Sequence, residues 1–239
     1  MTYTTPNGGY SRLYADMAEQ PHLLIAGTTG AGKSVVINGI LHALLHDTPQ
    51  ADRFILIDLK MVELADYRYI PHTITYADDI PGTLQALQTA IDTMQARYAD
   101  MQRRKLKLYD GGHLYIIIDE LADLMTTAPK QVTPLIQAIA QKGRGARIHI
   151  IAATQSPITA VIPTPVKVCF TASLGLRTRS AQDSRNIIYQ SGCEKLPYPP
   201  EAHEAYGYYL KGPKLDLYKL PMIPEAERMR IIDHWTRYI

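Results

Sequence analysis

Residues 26–36 read AGTTGAGKSVV, and few stretches this short restrict a fold so strongly. Gly27 and Gly32 fit the spacing G-x-x-x-x-G-K-[ST], which Lys33 and Ser34 complete. Glycines let the backbone curl so that successive N–H groups face one anion, and the helix that follows adds its positive end. The pattern makes Gly27, Thr28, Thr29, Gly30, Ala31 and Gly32 a backbone cradle for phosphates. It sends Lys33 to the β- and γ-phosphates of a nucleotide and the Ser34 hydroxyl to Mg²⁺. A glycine-rich turn with a chance lysine is the alternative, and the flanks argue against it. "HLLIA" (22–26) reads as a buried strand, and "SVVINGILHALLH" (34–46) carries apolar residues at helical spacing.

Downstream, strands alternate with helices, the order of a parallel sheet covered on both faces. "RFILID" (53–58) and "HLYIIIDE" (113–120) are continuous apolar runs, separated by a helical stretch over about 82–107. A helix near 131–142 leads to a strand at "RIHIIAATQ" (147–155), and "VKVCFTA" (166–172) reads as a fifth strand. "AYGYYL" (205–210) and "KLDLYKL" (214–220) read as edge strands, and "PEAERMRIIDHWTRYI" begins with a proline suited to a helix start.

At 239 residues the chain is one large domain or two small ones. Its apolar fraction of 46% and charged fraction of 20% are those of an ordinary globular protein. A formal net charge of +2 is far below that of proteins that coat nucleic acid, so any contact with nucleic acid is expected to be local. No apolar run approaches the roughly 18–20 residues of a membrane span, and no signal peptide is visible. Cys169 and Cys193 form no metal-spaced or disulfide-framework set, which points to a reducing, cytoplasmic setting.

Ligands of an open parallel sheet sit outside the carboxyl ends of its strands. One strand ends at Asp119-Glu120, and acids directly after an apolar run need a partner. A Mg²⁺ ion near Ser34 would supply one, with Asp119 acting through the water shell of the metal. Glu120 is then free to act as general base on the attacking water. Two acids capping the next helix are the competing reading. Another strand ends at Thr154-Gln155, where an amide can hold the lytic water, with simple turn chemistry as the alternative.

These pieces resemble a known family. "PHLLIAGTTGAGKSVVINGILHALL", "FILIDLKMVELADYRYIPH", "IIIDELADLM", "IQAIAQKGRGARIHIIAATQSP" and "DSRNIIYQSGCEKL" look like the motor domain of FtsK/SpoIIIE DNA translocases. The resemblance runs from about Ala15 to Leu196, and it makes residues 1–239 a single motor domain, with strands and a helix after 197 as an extension. It implies an α/β, RecA-like P-loop NTPase core with strand order 5-1-4-3-2. It also implies a hexameric ring, ATP with Mg²⁺ as cofactors, and double-stranded DNA threaded through the pore. Lys33 and Ser34 would bind nucleotide and metal, Asp119 and Glu120 would be the metal-linked and catalytic acids, and Gln155 would follow the sensor threonine, Thr154. Arg144, in "QKGRGAR", would be the arginine finger reaching into the neighbouring subunit's site. Read without the family, Lys142 and Arg144 form a basic cluster at a helix end.

The chain departs from the family pattern at several points. Leu59 stands where the family has proline, and Ser156 where it places a DNA-facing arginine. Ala181 and Gln182 occupy the ground of a second trans-acting lysine, for which Arg177 or Arg179 could substitute. Lys130 is the one cation in the DNA-contact loop after the Asp119-Glu120 helix. There is room for neither a membrane region nor a winged helix, so the chain reads as a stripped motor of a plasmid, phage or mobile element, open to recruitment by another protein. Its weak charge and Ser156 keep a rival in view, a related ATPase that handles protein in secretion or assembly. The basic run "RRKLKL" (103–108) reads as a solvated helix face, and His42 and His46 as surface residues without a third metal ligand.

Overall fold

Strands with no polar alternation must be covered on both faces, and the apolar runs of this chain are so covered. The computed structural model describes residues 2–4, 10–12, 17, 19–47, 52–199 and 204–237. The strands are β1 (Thr2–Thr4), β2 (Tyr10–Arg12), β3 (His22–Ala26), β4 (Arg53–Ile57), β5 (Thr73–Ala77) and β6 (Leu114–Ile118). They continue with β7 (Ile148–Thr154), β8 (Ala172–Gly175), β9 (Glu204–Lys211) and β10 (Lys214–Pro221). The helices are α1 (Lys33–Asp47), α2 (Ile80–Arg104), α3 (Leu121–Thr127), α4 (Pro129–Lys142), α5 (Thr164–Lys167), α6 (Ala181–Ile188) and α7 (Glu225–Thr236).

The strands form one sheet in the order β2-β1-β10-β9-β8-β3-β7-β6-β4-β5. From β8 to β5 every pairing is parallel, and from β8 outward through β9, β10, β1 and β2 every pairing is antiparallel. The segment β8-β3-β7-β6-β4 is the expected 5-1-4-3-2 order. Alternate side chains of each central strand enter opposite cores. Ile55, Ile57, Ile116, Ile118, Ile148 and Ile150 meet α2 and α4 on one face. Phe54, Leu56, Tyr115, Ile117 and Ile151 share the other core with Val36, Ile37 and Leu41 of α1. Trp235 of α7 closes that layer, donating its indole N–H to the Leu45 carbonyl at 3.2 Å.

Four features correct the sequence reading. The fifth strand lies later than 166–172: residues 164–167 are helical, and the strand begins at Ala172. Buried Val166 and Phe170 cap the α4 side of the core, which is why this stretch looks strand-like in sequence. A further parallel strand, β5, pairs with β4, and its polar, half-exposed residues gave no apolar run to detect. The strands at 204–221 extend the sheet but do not end it, because β10 pairs with β1 and β2 lies outermost. Helix α2 stops at Arg104 because Lys105 takes the left-handed conformation (φ 56°). The boundary at Ala15, and the end of the last helix at 238–239, lie outside the described residues.

The loop after β4 shows how one buried carboxylate replaces a rigid ring. Asp58 is fully buried and accepts hydrogen bonds from the backbone N–H groups of Lys60 (3.2 Å), Val62 (3.0 Å) and Leu64 (2.9 Å). This wraps the chain around the carboxylate and holds Met61 at φ 55°. Leu59 therefore needs no proline at its position to keep the turn. Asp58→Ala strands three donors, the Leu64 N–H fully buried and the other two partly so, and should cost about 2–4 kcal/mol. Urea denaturation checks this; a loss below about 1 kcal/mol would show that the loop is held by other contacts.

Candidate phosphate-binding and catalytic site

β3 runs straight into the glycine-rich loop, and α1 starts at Lys33. The loop is anchored on both sides of the strand. Gly27 N–H donates to the Thr154 carbonyl (3.2 Å), and Thr28 N–H to the Arg177 carbonyl (2.8 Å). Gly30 and Gly32 have φ of 74° and 96°, the left-handed region that folds a loop back on itself. At Gly32 a Cβ would also come within 2.5 Å of the Ala205 Cβ, so β9 leaves no room for a side chain there. Lys33 curls back over the loop, its Nζ donating to the carbonyls of Gly27 (3.0 Å) and Thr28 (3.1 Å). Burial lowers the Lys33 pKa, while Glu120 and Asp119 pull it back up.

Asp119 and Glu120 follow β6 beside this loop. The Asp119 pKa is raised to about 6, first by burial and then by the neighbouring carboxylates of Asp58, Glu63 and Glu120. Acids crowded in this way favour a divalent cation, which would restore full ionisation. With the Ser34 hydroxyl on the first turn of α1, this donor set fits Mg²⁺, a hard cation that takes oxygen ligands.

Glu120 is buried and plays two structural parts. It caps α3 by accepting from Ala122 N–H (3.3 Å), as the capping reading expects. Both carboxylate oxygens also accept from Gln155 N–H, each at 3.1 Å. The Gln155 side-chain oxygen in turn accepts from the Thr29 hydroxyl at 2.7 Å. Gln155, the residue just past β7, thus joins the phosphate-binding loop through its side chain to the buried acid through its backbone N–H. Thr154, fully buried, accepts from Ser156 N–H (3.1 Å), so turn chemistry is present at this strand end as well.

The structure gathers Gly27–Ser34, Asp119, Glu120, Thr154 and Gln155 at one end of the sheet. Arg144 is elsewhere. It lies between α4 and β7, before the strand whose other end carries Thr154, and β3 and β7 run parallel with Ala26 beside Thr154. The length of β7, about 20 Å, separates it from its own chain's loop. Lys130 lies within α4, whose first residue is separated from α3 only by Ala128, so the expected loop is a tight corner between helices. Arg104 pairs with Asp100 and Asp110, and Arg103 with Asp100, in keeping with a solvated face at 103–108. His42 stacks on His46 and meets Glu227 at 3.4 Å, so it is tucked against α7; among the described residues no three-ligand metal cluster exists.

Arg179 completes the wall of the cleft. Its Nε donates to the Thr28 hydroxyl at 3.2 Å, and it shares the cavity lining with Gln155, Thr178 and Asp183. Its role on its own chain's loop could not be read from sequence, because 151 residues separate it from Thr28.

A model of the FtsK/SpoIIIE family matches residues 5–116 and 111–159. The chain belongs to the FtsK/SpoIIIE family. Its curated relatives include the DNA translocase FtsK of Mycobacterium tuberculosis, 41% identical over 76% of this chain and 25% of that one. The DNA translocase FtsK of Rickettsia bellii is 36% identical over 77% of this chain and 30% of its own length. The chain thus spans about a quarter of the first of these relatives. Among solved structures, the pCW3 conjugation coupling protein TcpA with ATPγS superposes with a TM-score of 0.80 at 18% identity, covering 98% of this chain and 70% of that one. The cytoplasmic domain of the type VII secretion ATPase EccC of Thermomonospora curvata gives 0.78 at 20% identity, covering 98% and 30%. At such identities the likeness is one of fold, the α/β fold of P-loop ATPases. Among the described residues of this FtsK/SpoIIIE chain, no helix is long and apolar enough to cross a membrane.

The Glu120 geometry generates a stability contrast. Glu120→Gln keeps an acceptor for Gln155 N–H and should melt within a few degrees of the wild type. Glu120→Ala leaves that donor without a partner and should lose about 1–3 kcal/mol. Thermal and urea unfolding of both variants check this; equal losses would mean the Gln155 bond carries no stability.

Proposed function

We propose that the chain is an ATP-hydrolysing motor domain that moves double-stranded DNA and works as a ring, a hexamer by its family. The observation that carries this reading is the Thr29–Gln155–Glu120 link, which connects the phosphate-binding loop to a buried acid. A module that only bound nucleotide would have no use for that link.

In this reading the backbone of Gly27–Gly32 receives the phosphates and Lys33 leaves its carbonyl partners for the β- and γ-oxygens. Ser34 and Asp119 would hold Mg²⁺, which would neutralise charge on the β- and γ-phosphates when bound. Glu120 accepts a proton from the attacking water; a carboxylate has lone pairs to spare beyond those used by Ala122 and Gln155. The Gln155 amide, released from Thr29, orients that water, and Thr154 underneath fixes the strand end. Arg144 sits a sheet's length from its own site, which suits a finger offered to a neighbouring subunit. Such sharing makes the ring, and not the single chain, the hydrolytic unit.

Duplex DNA is the substrate this reading favours, through the kinship to DNA translocases. The charge of +2 and Ser156 speak for the protein-handling rival. ATPase activity with and without duplex DNA tests the proposal. Duplex should stimulate the wild type, with a loss of stimulation as salt rises that is shallower than for a strongly basic binder. Glu120→Gln should bind ATP and not turn it over. Duplex that gives no stimulation even at low salt would overturn the DNA reading in favour of a protein substrate.

Sharing of the site is tested by complementation. Lys33→Ala rings should be inactive, and Arg144→Ala rings reduced by about 10³–10⁵-fold, the usual worth of an arginine finger. Co-assembled from separated subunits, the two variants should recover part of the activity, because an intact loop can then meet an intact finger. Confirmed mixed rings with no recovery would show that Arg144 is not a trans-acting finger.

A further inference from the structure

An aromatic ring stands exposed beside the phosphate-binding loop, two residues after a side chain packed in the core. Tyr198 is 53% exposed, whereas Leu196, two residues earlier, is buried with Ile187, Ile188 and Cys193. The next residue, Pro199, places its Cγ 3.6 Å from where a Cβ on Gly32 would stand. The segment therefore runs past the last glycine of the loop, at the first turn of α1.

The ring is also held. The Arg177 guanidinium carbon lies 4.8 Å from the Tyr198 ring centroid, and Arg177 donates to the Leu196 carbonyl. Arg177 lies two residues past the end of β8, and its own carbonyl receives the Thr28 N–H of the loop. One short stretch of chain thus binds the loop backbone and supports the ring. A guanidinium over one ring face stabilises a tyrosine that would otherwise be free to reorient, and leaves the exposed surface for another planar group.

We propose that Tyr198, backed by Arg177, is the platform on which the base of a nucleotide stacks when its phosphates fill the Gly27–Ser34 loop. The inference rests on the ATP reading above and adds what that reading lacks. The phosphate loop grips only the charged end of the ligand and cannot tell a nucleotide from inorganic polyphosphate. A base contributes a flat, weakly hydrated ring, and an aromatic side chain is the partner that gains most from covering it. Stacking accepts any base, so Tyr198 should favour nucleotides over polyphosphates without choosing ATP over GTP.

Binding of ATPγS and of inorganic tripolyphosphate, measured by calorimetry, separates the base from the phosphates. Tyr198→Ala should weaken ATPγS by about tenfold and leave tripolyphosphate unchanged. Tyr198→Phe and Tyr198→Trp should bind ATPγS like the wild type, which also guards against a folding defect in the alanine variant. The sole native tryptophan, Trp235, is buried against α1 and gives a constant background. Emission from Tyr198→Trp should therefore be quenched by ATPγS and not by tripolyphosphate. Equal weakening of both ligands in Tyr198→Ala, no weakening of either, or a Trp signal indifferent to ATPγS would overturn the platform. A wild type that binds neither ligand would overturn the nucleotide reading itself, a result distinct from these.

Discussion

The structure depends on β3 being buried on both faces and paired on both sides. It lies between β8 and β7 in parallel register, with Ala26 beside Gly175 on one side and Thr154 on the other. Because all three strands end together, the loop that follows β3 is pinned at once by the Thr154 and Arg177 carbonyls. A loop that must present its N–H groups to an anion cannot also satisfy them by its own flexible folding. Here the neighbouring strands set its path, and glycines at Gly30 and Gly32 allow the turns that path requires. The antiparallel extension has a part in this too, since Ala205 of β9 presses directly on Gly32.

Electrostatics at the same end of the sheet show a site with its charges held ready. Asp58 spends its lone pairs on backbone donors, and Glu120 on Gln155 and the α3 cap. Asp119 lies among these acids with its pKa pushed up to about 6, first by burial and then by the neighbouring carboxylates. The two adjacent acids are held differently: Glu120 is tied to backbone donors at Gln155 and Ala122, and Asp119 is crowded by carboxylates. Lys33 is held by two carbonyls beside these acids, and burial lowers its pKa.

Cations follow a different logic. The arginines of 103–104 are neutralised by Asp100 and Asp110, Arg179 is turned onto Thr28, and Arg177 onto Tyr198. At these four arginines, positive charge is spent locally on holding the fold and lining the cleft.

By itself, the sequence determined the central strands, the α1 helix and the phosphate-binding loop. Continuous apolar runs can only be doubly covered strands, and the spacing of Gly27, Gly32, Lys33 and Ser34 has a local backbone meaning. It also placed Asp119-Glu120 and Thr154-Gln155 at strand ends, because the change from apolar to polar is read along the chain. The position of β8 was not legible, since Val166 and Phe170 are as apolar as a strand but serve as core caps. Nor was β5, whose half-exposed edge lacks an apolar signature. Only the tertiary structure decided that Gln155 ties Thr29 to Glu120, that Arg179 reaches Thr28 across 151 residues, and that Tyr198 is braced beside the loop. The physical reason is that strand order, and not sequence distance, chooses neighbours in a sheet. It carried Arg144 to the far end of β7 from the loop it was expected to serve in another subunit.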